Sequence, residues 1–284
     1  MTKFKAKYLF NKKNSGRIFL YLGLIIASFI SGYPLLWMFF NSFKDRIEIY
    51  TNIWGPPMRP NIMNYVEAWN RSQIQVYFKN SVIVTVGTIL LTLILGTLAA
   101  YAFSKIKFFL SNVIFVIFLL TMMIQPQVIS LPLFKLMTQL KIMDTYFALI
   151  LAYVADSLPL SIFLLAAYFR SIPKDIEEAA LIDGANKITV FFKIILPLSG
   201  PVYSAVIIIN FVFYWNELIL SLMLLKKQGL RTITVGLVGF IGQFQRDWGA
   251  LFSALSISII PVIIIYLIFQ KRFISGLLSG AIKG

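Results

Sequence analysis

The chain has 284 residues, of which 59% are hydrophobic and only 13% are charged, and its mean hydropathy is +0.82. An average soluble domain is about 45–50% apolar and about 25% charged, so a soluble core could not bury this much apolar surface. A water-soluble enzyme and a nucleic-acid-binding protein are therefore excluded. Because the chain has neither Cys nor His, disulfides, thiolate chemistry, histidine-based metal sites and His-dependent triads are excluded as well. The composition indicates an integral membrane protein.

Six apolar runs follow one another along the chain, each about long enough to cross a bilayer as a helix of about 20 residues. They predict an all-α integral membrane protein with six transmembrane helices, at Ile18–Phe43, Ser81–Phe103, Leu110–Gln125, Thr145–Phe169, Pro201–Leu225 and Leu251–Gln270. The connections at 44–80, 126–144 and 226–250 are too short for a folded domain with its own core. We therefore expect residues 1–284 to form a single transmembrane domain.

Lysine and arginine are concentrated in the connections on one side of these spans. Of the 26 basic residues, 15 lie in the N-terminal tail (1–17), the 104–109 loop, the 170–200 connection and the C-terminal tail (271–284). Short loops rich in Lys and Arg remain in the cytoplasm. The net charge of +15 is therefore explained by loops that face anionic lipid, and both termini are predicted to be cytoplasmic.

The connection between the fourth and fifth spans, residues 171–197, is too long to be a simple loop. We expect Ser171 to cap a short helix that has Pro173 in its first turn. Its acidic residues complement the positive end of the helix dipole; they are Asp175, Glu177 and Glu178. Gly184 provides a left-handed stop for this helix. The segment should therefore begin with an acidic helix that ends at a glycine.

A second short helix is predicted to follow Gly184 and to end at Leu196-Pro197. It carries an apolar stripe at helical spacing, formed by Ile188, Phe191, Phe192 and Ile195. In the first helix, Ala179 and Ala180 permit the close approach of another backbone. We expect Phe191 and Phe192 to enter a pocket of a partner. The two helices together predict a compact cytoplasmic projection that has no catalytic residues.

The 171–197 segment carries a resemblance to a known family. Glu178-Ala179-Ala180, then Gly184 and then Ile194-x-Leu196-Pro197, at their spacing, resemble the EAA motif of binding-protein-dependent ABC importer permeases. Residues 270–284 and the stretch Trp215-Asn216-Glu217-Leu218 resemble the smaller membrane subunit of maltose-permease-type sugar importers. The resemblance covers essentially the whole chain. It implies an ABC type I importer permease fold with a cytoplasmic coupling helix, in a bacterial cytoplasmic membrane.

The resemblance also implies how the chain works. In this family the helix between Asp175 and Gly184 docks into a cleft of a cytoplasmic ATPase, with Glu178 as the polar anchor. Closure of the ATPase dimer then switches the pore between its outward-open and inward-open states. The residues implied in this coupling are Glu178, Ala179, Ala180, Asp183, Gly184, Phe191, Phe192, Leu196 and Pro197.

The same resemblance implies the partners. They are a homologous second permease that completes a heterodimeric pore, two ATPase subunits and an extracytoplasmic binding protein that delivers a sugar or oligosaccharide. The chain itself has no phosphate-binding G-x-x-x-x-G-K-[ST] pattern. ATP and Mg are therefore expected on the partner ATPase, and no catalytic residue, cofactor or metal site is expected in this chain.

Asp156 and Glu217 are the acidic residues within the predicted spans. A charge at the bilayer centre costs about 2.5–3.5 kcal/mol on insertion scales, so each acid should face protein or water. Tyr214 and Asn216 lie close to Glu217 and suit sugar recognition, which makes these four residues a candidate substrate pathway. Two alternatives stay open. Glu217 could instead form an inter-helix hydrogen bond, and the two acids could serve a self-sufficient ion-coupled carrier or channel.

Overall fold

A computed structural model describes residues 12–71, 73–106, 108–243 and 247–281. Within these ranges every regular element is a helix. They are α1 (Lys12–Ser42), α2 (Arg46–Thr51), α3 (Met63–Arg71), α4 (Ile74–Lys105), α5 (Ser111–Thr121), α6 (Pro126–Gln139), α7 (Tyr146–Ser171), α8 (Lys174–Ile182), α9 (Lys187–Leu198), α10 (Gly200–Trp215), α11 (Ile219–Leu224), α12 (Ile233–Gln243) and α13 (Trp248–Ala281). Residues 1–11 of the predicted basic tail and 282–284 of the C-terminal tail lie outside the described residues.

Four of these helices are long and apolar enough to cross a membrane. The crossing segments are Phe19–Ser42 in α1, Ile74–Lys105, Tyr146–Ser171 and Trp248–Lys271 in α13. Two bent pairs reach the same length and apolarity together: α5 with α6, at 101°, and α9 with α10, at 68°. The described residues thus contain four to six candidate spans, and the predicted all-helical membrane fold is confirmed.

The direction of α4 and α7 indicates how the first bent pair crosses. These two helices pack along each other in parallel, through hydrogen bonds that follow both chains in the same order: Tyr146 to Asn80 (2.7 Å), Thr92 with Ser157 (2.6 Å) and Lys105 to the Ile172 carbonyl (3.4 Å). Two parallel spanning helices enter the membrane from the same face. The chain between them must therefore return across the membrane, and α5 and α6 are the helices available for this return.

Helix α10 runs against the direction of α7. Asn210 Nδ2 donates to Ser161 Oγ at 3.2 Å, and further along α10 the Tyr214 hydroxyl donates to Asp156, earlier in α7, at 2.8 Å. The chain therefore turns back between α7 and α10. The 171–197 segment lies in this turn, at the membrane face where α4 and α7 both end.

Two details of the predicted spans differ from the structure. The third predicted span is not straight, since α5 ends at Thr121 and α6 begins at Pro126, which has no backbone N–H to continue a helix. The fifth does not run to Leu225, because α10 ends at Trp215. The fourth span contains Pro159, and α7 continues through this proline. Membrane helices tolerate proline where neighbouring groups satisfy the freed backbone atoms.

A row of small residues on α4 explains its close packing in the span. Ser81, Thr85, Thr88, Thr92 and Gly96 are all buried and recur every three or four residues. A Cβ added at Gly96 would lie 3.5–3.9 Å from three side chains of α7, which is ordinary van der Waals contact. In a membrane, where apolar burial does not drive helices together, small and hydroxylated residues permit this approach. We call these five residues the α4 seam.

The contacts divide the chain into two compact units, residues 1–68 with 244–256 and residues 69–243 with 257–284. In the first unit, the Lys44 ammonium is fully buried and donates to Asn41 Oδ1 (3.2 Å) and to the Asn52 carbonyl (2.5 Å). Burial lowers the pKa of Lys44 from 10.5, although Glu48 acts in the opposite direction. The second unit contains every predicted site residue. The expectation of a single transmembrane domain stays a prediction.

Candidate functional site

The 171–197 segment folds as two helices joined at a glycine, as its sequence predicts. Helix α8 ends at Ile182, and Gly184 has φ +86°, the left-handed conformation that ends helices at little cost only for glycine. The predicted cap is wrong: Ser171 belongs to α7, where its hydroxyl donates to the Tyr168 carbonyl at 2.7 Å, and Pro173 is the residue before α8. The second helix, α9, has a cap that the sequence analysis missed.

That cap is Asn186. Its Oδ1 accepts hydrogen bonds from the backbone N–H of Thr189 (2.8 Å) and from the Thr189 hydroxyl (2.9 Å). Asn is among the preferred N-cap residues, and its place directly before an apolar stripe was the available signal. After this cap, α9 widens to a π-helix over Phe191–Ile195 before it ends at Leu198. The two helices are thus defined by Gly184 and Asn186 between them.

The motif residues of α8 form an exposed surface. Glu178, Ala179 and Asp183 are exposed, and Ala180 is half-buried. Two apolar neighbours share this exposure, since Ile182 is 86% and Leu181 45% accessible. Acidic, small and apolar side chains thus lie together on this surface, and covering the two apolar ones by another protein would be favourable.

The two phenylalanines of α9 have different environments. Phe191 is 5% exposed and packs on the Tyr101 ring of α4, with 4.8 Å between ring centroids, whereas Phe192 is 58% exposed. The expectation that both enter a partner's pocket is therefore wrong for Phe191, which is occupied within this chain. Leu196 and Pro197 are exposed, and both Phe side chains and Leu196 line an apolar cavity of about 340 Å³ beside α4.

The last turns of α4 hold both helices of the segment, which the sequence analysis did not foresee. Lys105 forms an ion pair with Glu177 of α8, and the same ammonium donates to the Ile172 carbonyl at 3.4 Å. The Tyr101 hydroxyl donates to the carbonyl of Lys187, the first residue of α9, at 3.4 Å. Glu177 and Glu178 therefore have different surroundings: Glu177 faces α4 and Glu178 faces outward.

The acidic residues of the candidate substrate pathway are each paired with a tyrosine. Tyr214 donates to Asp156 Oδ2 at 2.8 Å, and Tyr153 donates to Glu217 Oε2 at 2.6 Å. The two tyrosine rings stack with 4.6 Å between their centroids. Both tyrosines are buried, Glu217 is half-buried and Asp156 is exposed in this chain. The structure thus brings Asp156, Tyr214 and Glu217 into one cluster and adds Tyr153, which no sequence pattern distinguishes from other tyrosines.

Glu217 has a structural task within this cluster. Its carboxylate accepts the backbone N–H groups of Leu220 (2.8 Å) and Ser221 (3.0 Å), which are free N–H groups at the start of α11. Glu217 also forms the inter-helix hydrogen bond that the sequence left as an alternative, because Tyr153 of α7 donates to it. Asn216 does not take part in the hydrogen bonds of the two tyrosines. Its amide donates instead to the Val212 carbonyl, one turn earlier in the chain, at 2.8 Å. Glu217 is therefore held by three hydrogen bonds whether or not a solute reaches it.

Comparisons with known proteins agree with this architecture. The family described as binding-protein-dependent transport system inner membrane component matches residues 92–278. The chain is 40% identical to the probable ABC transporter permease protein YurM of Bacillus subtilis (strain 168), over 94% of this chain and 87% of that protein. It is 37% identical to the trehalose/maltose transport system permease protein MalG of Thermococcus litoralis, over 94% and 97% of the two chains. It is also 34% identical to the melibiose/raffinose/stachyose import permease protein MelC of Bacillus subtilis (strain 168), over 96% and 99%.

A solved structure has the same fold. The chain superposes with a TM-score of 0.80 on a chain from the crystal structure of a bacterial ABC transporter involved in the import of the acidic polysaccharide alginate. The match covers 93% of this chain and 99% of that chain at 24% sequence identity, a level that speaks for the fold alone. The alternative of a self-sufficient carrier or channel is not favoured by these findings. The chain belongs to the family of binding-protein-dependent transport system inner membrane components, as a membrane-spanning ABC transporter permease.

Proposed function

We propose that the chain forms one half of the membrane pore of an ATP-driven importer for a sugar or oligosaccharide. The support for this solute class comes from relatives named for trehalose/maltose, for melibiose/raffinose/stachyose and for arabinooligosaccharides, at 37%, 34% and 32% identity. A homologous second permease would complete the pore, an extracytoplasmic binding protein would deliver the solute, and two ATPase subunits would hydrolyse ATP with Mg. The sequence has no phosphate-binding loop that would assign this hydrolysis to the chain itself.

The observation that carries the proposal is the exposed motif surface of α8. Glu178, Ala179 and Asp183 are exposed beside an apolar residue that is 86% accessible, Ile182. This helix lies in the turn between α7 and α10, so a displacement of α8 acts on both spans through the chain itself. We infer that an ATPase subunit covers this surface and moves it. The face on which it lies would then be the cytoplasmic one, in the inner membrane of a bacterium.

Bulk added at Ala179 tests the docking. In the complex purified with its ATPase and reconstituted in vesicles, Ala179→Trp should release the ATPase and abolish uptake, because the indole holds α8 away from its cleft. Ala179 is exposed, so the chain's own fold does not oppose the larger side chain. Ala179→Ser is the matched control, since it adds a single oxygen. If the Trp variant keeps its ATPase and transports like the Ser variant, α8 is not the docking helix.

We also propose that Asp156, Tyr214, Asn216 and Glu217 border the path of the solute. Asp156 supports this most directly, since it is an exposed carboxylate on a spanning helix, and its Tyr214 partner supplies an aromatic face. Asp156→Asn should raise the KM for uptake at least about tenfold, the lower end of the range for a lost charge-assisted hydrogen bond. An unchanged KM together with an unchanged uptake rate would remove Asp156 from the path.

A further inference from the structure

The end of α4 contacts the 171–197 segment on both sides of its central glycine. On one side Lys105 pairs with Glu177 in α8, and on the other Tyr101 donates to the Lys187 carbonyl at the start of α9. Gly184 lies between the two points of attachment. A movement of the segment as a body therefore acts on α4 through two contacts that lie one helical turn apart in α4.

The ion pair is the more rigid of these contacts. The Lys105 side chain is 9% exposed and that of Glu177 is 16% exposed. Charges shielded from water attract each other more strongly than surface charges and are screened less by salt. The same ammonium also donates to the Ile172 carbonyl, in the short link between α7 and α8. Lys105 is thus bonded at two points to the part of the chain that the proposed ATPase contact would move.

α4 depends on such a contact because no short stretch of main chain links it to the segment. Helix α8 follows α7 after two residues, and α9 leads into α10, so these spans move with the segment through the main chain. By contrast, the whole of α5, α6 and α7 lies between α4 and α8 in sequence. Any displacement of α8 reaches α4 through side-chain contacts, along α7, along α10 or directly at the end of α4.

We propose that Lys105 and Glu177 form a positioning pair that makes α4 move together with α8 during the transport cycle. The inference rests on the proposed docking of an ATPase at α8 and adds the path by which the movement reaches a span that is remote in sequence. Glu178 and Glu177 then have different roles. Glu178 faces the partner subunit, and Glu177, one residue earlier and on another side of the helix, faces α4.

Neutral substitutions test the pair in the reconstituted complex. Lys105→Gln and Glu177→Gln should each lower the number of solute molecules taken up per ATP by about fivefold or more, the lower end of ordinary coupling energies between sites. The double variant should be no worse than either single one, because both remove the same interaction. Lys271→Gln, an exposed lysine on α13, is the control and should keep the wild-type ratio. A normal ratio in both single variants, or effects that multiply in the double variant, would overturn the proposal.

A crosslink tests the joint movement directly, also if the neutral variants assemble poorly. Because the chain has no cysteine, Lys105→Cys with Glu177→Cys can be joined by a bifunctional thiol reagent of the length of the original ion pair. If α4 and α8 move together, the crosslinked transporter keeps its uptake. Uptake that stops on crosslinking and returns on cleavage of the linker would show that they separate, and the proposal would be wrong.

The Ala179→Trp variant, measured beside these, separates the two hypotheses. If it blocks uptake while the Gln variants behave as wild type, the docking proposal stands and the positioning pair fails. If Ala179→Trp has no effect, the docking proposal itself fails.

Discussion

At Gly184, the backbone conformation restricts which residues fit more than the space around the residue does. Its φ of +86° is a conformation that L-residues rarely adopt, yet a Cβ built there meets no atom within 4 Å. The structure therefore makes side-chain size unimportant at this position and backbone conformation decisive.

Substitutions at Gly184 should accordingly depend on left-handed propensity. Gly184→Ala and Gly184→Trp should weaken the turn by a similar amount, about 1–2 kcal/mol, whereas Gly184→Asn should retain most of its stability because Asn tolerates the left-handed region. The ratio of uptake to ATP hydrolysis in the reconstituted complex is the measurement. A graded loss from Ala to Trp, with Asn no better than Ala, would contradict this reading.

Lys44 makes a prediction about pH. Burial lowers its pKa from 10.5, so the folded state binds the proton less tightly than the unfolded state. Between the lowered pKa and 10.5, unfolding takes up a proton, and the free energy of unfolding should therefore rise as the pH rises through this window. Thermal unfolding of the purified complex at a series of pH values measures it. Lys44→Met should remove this slope, and an equal slope in both proteins would show that other groups cause it.

At the scale of helices, the apolar runs predicted most of the spans because length and composition decide which segments enter a bilayer. The breaks were harder to predict. A proline inside a helix ordinarily kinks or breaks it, yet α7 continues through Pro159. The break after Trp215 has no proline or glycine, and the Glu217 carboxylate there binds N–H groups of α11 and a tyrosine of α7. Tyr153 is distant from Glu217 in sequence, so no local sequence pattern predicts the hydrogen bond that it makes at this break.

Glu217 should therefore matter for the stability of α11 more than its charge suggests. Glu217→Ala leaves two backbone N–H groups and the Tyr153 hydroxyl without their acceptor and should lower the free energy of unfolding by about 1–3 kcal/mol. Glu217→Gln keeps one side-chain oxygen and should lose less. Thermal unfolding in detergent measures both variants. Equal stability of the Ala variant and the wild type would contradict the capping role, and a changed KM for uptake in a stable Gln variant would instead support its place on the solute path.

At the scale of the whole molecule, the parallel packing of α4 and α7 determines which loops lie at the same membrane face. The loop after α4 and the 171–197 segment lie at one face, and the residues before α4 and α7 lie at the other. Basic residues in the sequence predict that the first of these faces is cytoplasmic. Charge and composition could thus predict that these two loops share a face, and the cytoplasmic location of that face stays a prediction, while the contacts of Lys105 and Tyr101 depend on which helices become neighbours.

Reporter fusions test this topology. Fusions at Ser15, Lys107, Lys187 and the C-terminus should report the cytoplasm, because the basic loops remain there. A fusion at Pro60 should report the opposite side, after the crossing of α1. The same reporter inserted at all five positions provides its own control. A cytoplasmic signal at Pro60, or opposite signals at Lys107 and Lys187, would contradict the arrangement.

The α4 seam also has a consequence for the newly made protein. The Thr92 hydroxyl meets Ser157 only after α7 has been synthesised, and at about 5–20 residues per second this takes several seconds after α4 has entered the membrane. During that interval α4 presents Thr85, Thr88 and Thr92 to lipid or to membrane chaperones and proteases. Bulky apolar residues in place of these threonines would keep the helices from packing closely, so the unpaired state would last longer, and the cell should contain fewer transporters rather than transporters that work more slowly.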